Sequence, residues 1–211
     1  MKKLSTLVIL MLSMLIAAPI SNAQSLTKQQ KAANKAAKKE ARALKKEGWM
    51  VPPGTLTMDL QLQESYSKAL EKDEKGFEKY IAGEAMSIGE TFDAALFQAS
   101  NLAKLDLAGK IQTDITQLID NKLANNQLSQ QQAASLVKSV SASKNLVSQK
   151  IGRVINPVKM YRILDNGNVE VRTVVYYSHE LAMDAMKQAL RESLESEADE
   201  MAKQLDQLLG F

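Results

Sequence analysis

Apolar residues recur at helical spacing over three long stretches of the chain after residue 90. The longest stretch, residues 95–123, follows Thr91, whose hydroxyl can cap a helix. The next, residues 129–151, opens with the Ser-x-x-Gln spacing of a capping box, and we expect the Asn-Pro pair at 156–157 to stop it. The third covers residues 178–209. These patterns predict three amphipathic helices.

Three other stretches are typical of β-strands. Residues 158–164 and 169–177 flank Asp-Asn-Gly-Asn, and Asn-Gly between two such runs is the strongest short hairpin signal. A two-residue loop places Arg162 opposite Val171 on the apolar face, an imperfect pair. The other face, which we expect to be largely solvated, carries Lys159, Tyr161, Glu170 and Arg172. A further strand is predicted over residues 77–88.

The first third of the chain predicts two more helices. Thr-Lys-Gln-Gln at 27–30 is typical of a capping box, and Gly48 suits the position just after a helix. The apolar residues of this helix are mostly alanine, so we expect it to dock weakly. Pro-Pro-Gly at 52–54 then predicts a turn, and residues 56–72 a short second helix.

This order of elements predicts an α+β fold, with long helices packed on one face of a small, mostly antiparallel sheet and a basic helix at the N-terminus. We divide the chain into three parts. Residues 1–23 are predicted to be a signal peptide, residues 24–54 a basic helical arm with its Pro/Gly turn, and residues 55–211 a single α+β domain.

The first residues have the pattern of a secretory leader. Met-Lys-Lys precedes an apolar run from residue 4 to residue 20, and Ser-Asn-Ala at 21–23 supplies small residues before a cut after Ala23. The alternative is an uncleaved membrane anchor, which Pro19 disfavours because it suits a cleavage region better than a continuing helix. The prediction is a periplasmic or secreted protein.

Residue usage excludes several kinds of chemistry. The chain has no Cys and one His, which excludes disulfides, thiolate or multi-histidine metal sites within one chain, and a Cys nucleophile. No Gly-x-Ser-x-Gly or phosphate-loop motif is present. His179 adjoins a helix start without a nominated nucleophile or orienting group. We therefore predict a protein that is not an enzyme and has no cofactor or metal, with an unrecognised hydrolase as an alternative.

The strongest asymmetry is in charge. Residues 28–47 hold eight basic residues against two acidic ones, whereas residues 48–211 hold 17 basic and 22 acidic residues. Such a basic arm suits anionic lipid headgroups or lipopolysaccharide, but not nucleic acid, because no interleaved aromatic residue is available for stacking. A solvated, lysine-coated helix is the plainer alternative. The candidate contacts are Lys28, Lys31, Lys35, Lys38, Lys39, Arg42, Lys45 and Lys46.

One further pattern links these segments to a known family. Tyr-Ile-Ala-Gly-Glu-Ala-Met-Ser-Ile at 80–88 leads into a helix with spaced alanines and Leu-Ala-Gly-Lys-Ile at 107–111, followed by the hairpin and the closing helix. This resembles the twenty-kilodalton lipoprotein family of bacterial envelopes and, more distantly, the N-terminal domain of the flagellar T-ring protein. The resemblance covers residues 77–178 and implies a helix-on-sheet envelope domain without enzymatic residues. The chain lacks the family's lipidated Cys.

We therefore predict a non-enzymatic, periplasmic or envelope-associated protein that acts by binding or assembly. Its partner would be an envelope protein or an anionic membrane surface. Binding of lipid or lipopolysaccharide through the basic arm is the second hypothesis, and a hydrolase is the third.

Overall fold

Three antiparallel strands lie between two layers of helices. The computed structural model describes residues 20–193, with side chains from residue 28 to residue 192. In chain order the elements are α1 (Ile20–Lys46), α2 (Met58–Leu70), β1 (Tyr80–Gly89), α3 (Phe92–Ala124), α4 (Gln130–Ala142), α5 (Lys144–Lys150), β2 (Ile155–Ile163), β3 (Val169–Ser178) and α6 (His179–Ser193). The predicted α+β class is confirmed, with long helices packed against a small antiparallel sheet.

The sheet has the strand order β1-β3-β2. Met50 adds a single bridge outside β2, where its N–H donates to the Tyr161 carbonyl at 2.7 Å and the Tyr161 N–H donates back at 2.9 Å. On the opposite edge, side chains of α3 cover part of β1. Asp106 accepts from the Glu84 N–H at 3.0 Å, and Lys110 donates to the Ala82 carbonyl at 2.7 Å.

One face of the sheet packs against α3 to α6. Helix α3 has 33 residues and is therefore about 50 Å long. The Thr91 side chain caps it as predicted by accepting from the Ala94 N–H. Gly83 allows the close approach of α3 to β1, because a Cβ at this position would lie 2.6 Å from Leu107 Cγ. The main buried cluster on this side includes Leu107, Ile111, Ile115, Ile119, Leu136, Met186 and Leu190.

The opposite face is covered by α1 and α2, so the prediction of a largely solvated face is wrong. Here Val174 and Tyr176 of β3 and Val158 and Met160 of β2 pack against a second cluster. Side chains alternate across a strand, and both halves of the alternation in β3 are largely buried. The helical side of this cluster consists of Ala37, Ala41, Leu44, Trp49, Met58 and Leu62.

The β2–β3 hairpin forms where predicted but with a register shifted by one residue. The Gly167 N–H donates to the Leu164 carbonyl, and Gly167 has φ +84°, which describes a turn closed by a left-handed residue in a three-residue loop. The shift brings Arg162 opposite Glu170 rather than Val171, and their side chains form an ion pair of 2.6 Å. The imperfect pair of the predicted register is thereby removed.

The predicted helix over residues 129–151 is divided in the structure. Its capping box at Ser129 is confirmed, but Ser143 separates α4 from α5, and its hydroxyl donates to the Val140 carbonyl at 2.7 Å. The Asn-Pro pair does not stop the helix, because α5 already ends at Lys150. Instead, the pair lies inside β2 at a register irregularity, where a strand tolerates proline.

Two predicted starts also change. Helix α1 begins at Ile20 instead of Thr27, so the expected capping box lies inside the helix. Strand β1 begins at Tyr80, because Phe77 belongs to a turn in which the Asp73 carboxylate accepts from the backbone N–H groups of Lys75 and Phe77. Residues 1–19 of the predicted leader and residues 194–209 of the predicted last helix lie outside the described residues.

Candidate functional site

All eight cations of the basic arm are exposed on α1. At about 100° per residue they fall within one sector of about 120°, and at about 1.5 Å per residue they extend over about 27 Å. The structure therefore brings all the predicted contacts into one continuous stripe. We call the cationic face of α1 the stripe formed by Lys28, Lys31, Lys35, Lys38, Lys39, Arg42, Lys45 and Lys46.

The opposite side of α1 is used for docking. Ala37, Ala41 and Leu44 are 0%, 2% and 8% exposed, so the small alanine side chains bring the helix close to its neighbours. Of the two acids of the arm, Glu40 lies away from the cationic face because of its position on the helix, and Glu47 belongs to the turn that follows α1. The apolar side of the helix is thus already covered by the body of the protein.

A polar network fixes this docking. Arg172 on β3 donates to Glu40 of α1 at 3.0 Å and to Glu84 of β1 at 2.7 Å, and the Tyr66 hydroxyl of α2 also donates to Glu40. Burial and the hydrogen bond to Glu40 raise the pKa of Tyr66 to about 12. For Arg172, burial lowers the pKa, but the hydrogen bonds to Glu84 and Glu40 have the larger combined effect. The pKa is therefore raised overall, and the guanidinium stays charged.

The charges of the cationic face remain available to a ligand. Within the described part of the chain, none of the eight side chains forms an ion pair with another residue. A shallow groove of about 530 Å³ runs along the stripe between Lys31, Asn34, Lys35, Lys38, Lys39 and Arg42. A stripe of ammonium and guanidinium groups of this kind attracts phosphate and carboxylate groups through its charge, without requiring one fixed geometry.

A second candidate region is an open cleft at the start of β1. Four parts of the chain meet there: the α2–β1 connection, β1 itself, the middle of α3 and the junction between β3 and α6. His179 is exposed at this junction, and its backbone N–H donates to the Lys79 carbonyl at 2.9 Å. Burial raises the pKa of Asp114 in α3, while nearby His179 lowers it and Glu78 raises it.

The structure does not bring Glu170, an acid of the β2–β3 hairpin, close to His179. Glu170 pairs with Arg162 near the start of β3, whereas His179 follows the end of that strand. Nine residues of extended chain separate the two by about 30 Å. A hydrolytic site that combines them is therefore not formed. Within residues 20–193, no group of three or more His, Cys, Asp or Glu residues is arranged to hold a metal ion.

No family model, curated protein or solved structure matches this chain. The resemblance to the envelope lipoproteins therefore stays a prediction, and the candidate sites depend on geometry alone. Over the part of the chain that the structure describes, none of the helices combines the length and apolar character needed to cross a bilayer.

The sequence predicted the basic arm and its residues but missed the cleft. His179 was considered without Asp114, because 65 residues separate them and each lies in a helical segment with an ordinary polar surface. The signal that could have pointed to the cleft is Phe77, an aromatic residue within a polar connection. Because the predicted strand included Phe77, this residue was not considered as part of a site.

Proposed function

We propose that this protein is a non-enzymatic, envelope-associated binding protein that attaches to anionic surfaces through the cationic face of α1. The observation that carries the proposal is the separation of roles around one helix. Ala37 and Ala41 are buried against the body, while all eight cations are exposed within one sector. A helix with this arrangement can expose its charges to a ligand while it stays docked against the rest of the protein.

The size of the attraction fits reversible binding. Each Lys or Arg near an anionic membrane surface contributes about 1 kcal/mol, so several of the eight cations together suffice for measurable association. Exposed charges are screened over a Debye length of about 8 Å at physiological ionic strength, so the binding is expected to weaken with salt. Insertion contributes little, because the apolar side of α1 is alanine-rich and already packed.

The leader pattern supports the envelope as the place where this binding occurs. A protein carried across the inner membrane meets anionic phospholipid headgroups and lipopolysaccharide phosphates, whereas nucleic acid is not the usual partner there. The eight cations match these phosphate groups by charge alone. The proposed partner is therefore an anionic lipid surface, with an envelope protein as the alternative for assembly.

Vesicle sedimentation tests the proposal. The full chain is mixed with vesicles of phosphatidylcholine alone or with 30% phosphatidylglycerol, at low and high salt. We expect co-sedimentation only with the anionic vesicles at low salt. A variant that replaces Lys31, Lys35, Lys38 and Arg42 with Gln should lose most of this binding.

The matched control removes the same number of charges elsewhere. Replacing Lys122, Lys138, Lys144 and Arg153 with Gln should leave vesicle binding within about twofold of the unmodified protein, although its net charge falls equally. An equal loss of vesicle binding in both variants would show that only net charge matters and would contradict the role of α1. Salt-independent binding to neutral vesicles would also contradict the proposal.

A further inference from the structure

The cleft at the start of β1 has the volume of a small-molecule site. It is open to solvent and has a volume of about 690 Å³, within the range of ordinary ligand pockets, and it lies at the meeting point of α2, β1, α3 and α6. Its walls combine aromatic and aliphatic side chains with a few charged groups. None of the eight cations of α1 lines it, so this inference is independent of the proposed function.

Most charged groups in and around the cleft already have partners. Lys110 binds Asp106 at 2.9 Å and donates to the Ala82 carbonyl. Glu78 Oε1 lies 3.9 Å from Lys72 Nζ, and the Asp73 carboxylate accepts hydrogen bonds from two backbone N–H groups of its own turn. The anionic side of the cleft is therefore largely satisfied apart from one residue.

That residue is Asp114, which faces the cleft from the middle of α3. Its side chain is half-buried, and among residues 28–192 it has no hydrogen bond and no ion pair within 4 Å, only longer-range electrostatic interactions with His179 and Glu78. A carboxylate that is partly removed from water without a close partner is an unfavourable arrangement. A bound cation would supply a close partner, whereas a bound anion would meet Asp114 and Glu78 as like charges.

Phe77 supplies the complementary apolar surface. Its side chain is 68% exposed although it lines the same cleft, and Ile81, Ala69 and Ala82 extend the apolar wall. The face of an aromatic ring also attracts cations, because the ring carries negative charge above and below its plane. An organic cation satisfies both features, since its charged end meets Asp114 and its apolar part covers Phe77.

We propose that this cleft binds a small organic cation, an amine or guanidine carried on an apolar body, with Asp114 as the counter-ion and Phe77 as the apolar wall. Lys75 is an exposed cation of the lining, and it lies on the connection rather than on α3 beside Asp114. His179 borders the same space.

Three probes that share one phenylethyl body and differ in charge test the charge requirement. These are 2-phenylethylamine, the neutral 2-phenylethanol and the anionic 3-phenylpropanoate, each titrated into the full chain and followed by amide chemical shifts. We expect saturable shifts with the amine at residues 77 and 110–114, at least tenfold weaker binding of the alcohol, and no binding of the carboxylate. Equal binding of amine and alcohol, or no saturable binding of the amine, would overturn the proposal.

Two matched variants test the residue. Asp114→Asn removes the charge with little change of shape and should weaken amine binding at least tenfold. Asp120→Asn, a change at an exposed acid of the same helix outside the cleft, should leave the affinity unchanged. Phe77→Ala should weaken the amine severalfold and the alcohol equally. If Asp114→Asn binds the amine as tightly as the unmodified chain, Asp114 is not the counter-ion and the proposal fails.

Discussion

The two faces of the sheet are covered by helices of different character. On one side α3 to α6 bury long aliphatic side chains, with Leu107, Ile111 and Ile119 all at 0% exposure. On the other side α1 contributes mainly alanines, and its position is fixed by a polar network centred on Arg172. One layer is held chiefly by buried apolar area, and the other by close approach together with directional contacts.

The difference shows how a helix can be held in place by a stripe of small side chains. Alanine buries little area, but it allows the backbone of α1 to come close enough for Glu40 to reach both Arg172 and Tyr66. Because only one narrow side of α1 is needed for docking, the remaining surface is free to carry cations. Helix α3 is also divided into a buried and an exposed side, but its buried side carries long aliphatic residues that contact several elements.

The largest expected effect is a truncation in the aliphatic layer. Ile115 is 1% exposed, and Ile115→Ala should lower the free energy of unfolding by roughly 2–5 kcal/mol, because it removes buried area and leaves a cavity. Urea unfolding followed by circular dichroism measures it. A loss below ~1 kcal/mol would contradict the conclusion that buried apolar area is what holds the layer of α3 to α6.

The next effect concerns the network under α1. Arg172→Met should lower the free energy of unfolding by roughly 1.5–3 kcal/mol, because Glu40 and Glu84 lose a charged donor. It should also speed tryptic cleavage within the lysine-rich α1, since the helix is then held less firmly. Lys159→Met, a strand cation without an ion pair to another described residue, is the control. Equal effects of both changes would rule out a specific role for the network.

Enlarging an alanine of α1 tests the close approach directly. Ala37 is 0% exposed, so Ala37→Leu should cost roughly 1–3 kcal/mol through overpacking. Ala36→Leu, one residue earlier on an exposed side of the helix, should change stability by less than ~0.5 kcal/mol. Thermal or urea unfolding of the pair gives the difference, and similar values would show that α1 does not need its small residues.

The smallest effect depends on pH and concerns Asp114 on the aliphatic side. Burial raises its folded pKa above the unfolded value, with His179 opposing and Glu78 adding, and Lys110 lies one turn earlier on α3. The ionised form therefore reduces stability at neutral pH, and this cost disappears as the pH falls below about 4. Asp114→Asn should thus be slightly more stable at pH 7 but not at pH 3. An advantage that is constant with pH would contradict this cause.

Local signals predicted much of the fold. Thr91 and Ser129 mark helix starts because their side chains cap neighbouring backbone groups, and this chemistry is readable from the sequence. The hairpin register was missed because Asn-Gly fits a two-residue loop as well as the three-residue loop that forms. The solvated face was predicted wrongly because an alanine stripe does not reveal which sheet surface it covers.

The two candidate sites differ in the same way. The cationic face lies on one helix, so the sequence positions of its lysines already determine which sector they share. The cleft combines Phe77, Asp114 and His179 from three segments, and only tertiary packing brings these side chains together. Sequence periodicity carries no information about such a meeting.

The side chains of Asp106 and Lys110 on the border of β1 have a consequence for self-association. Another molecule that tries to extend the sheet there must first displace a carboxylate and an ammonium that already occupy the backbone groups of Glu84 and Ala82. Breaking these two hydrogen bonds adds a barrier before the first hydrogen bond between strands of different molecules forms. Asp106 and Lys110 thus hinder fibril growth by strand addition at this edge of the sheet.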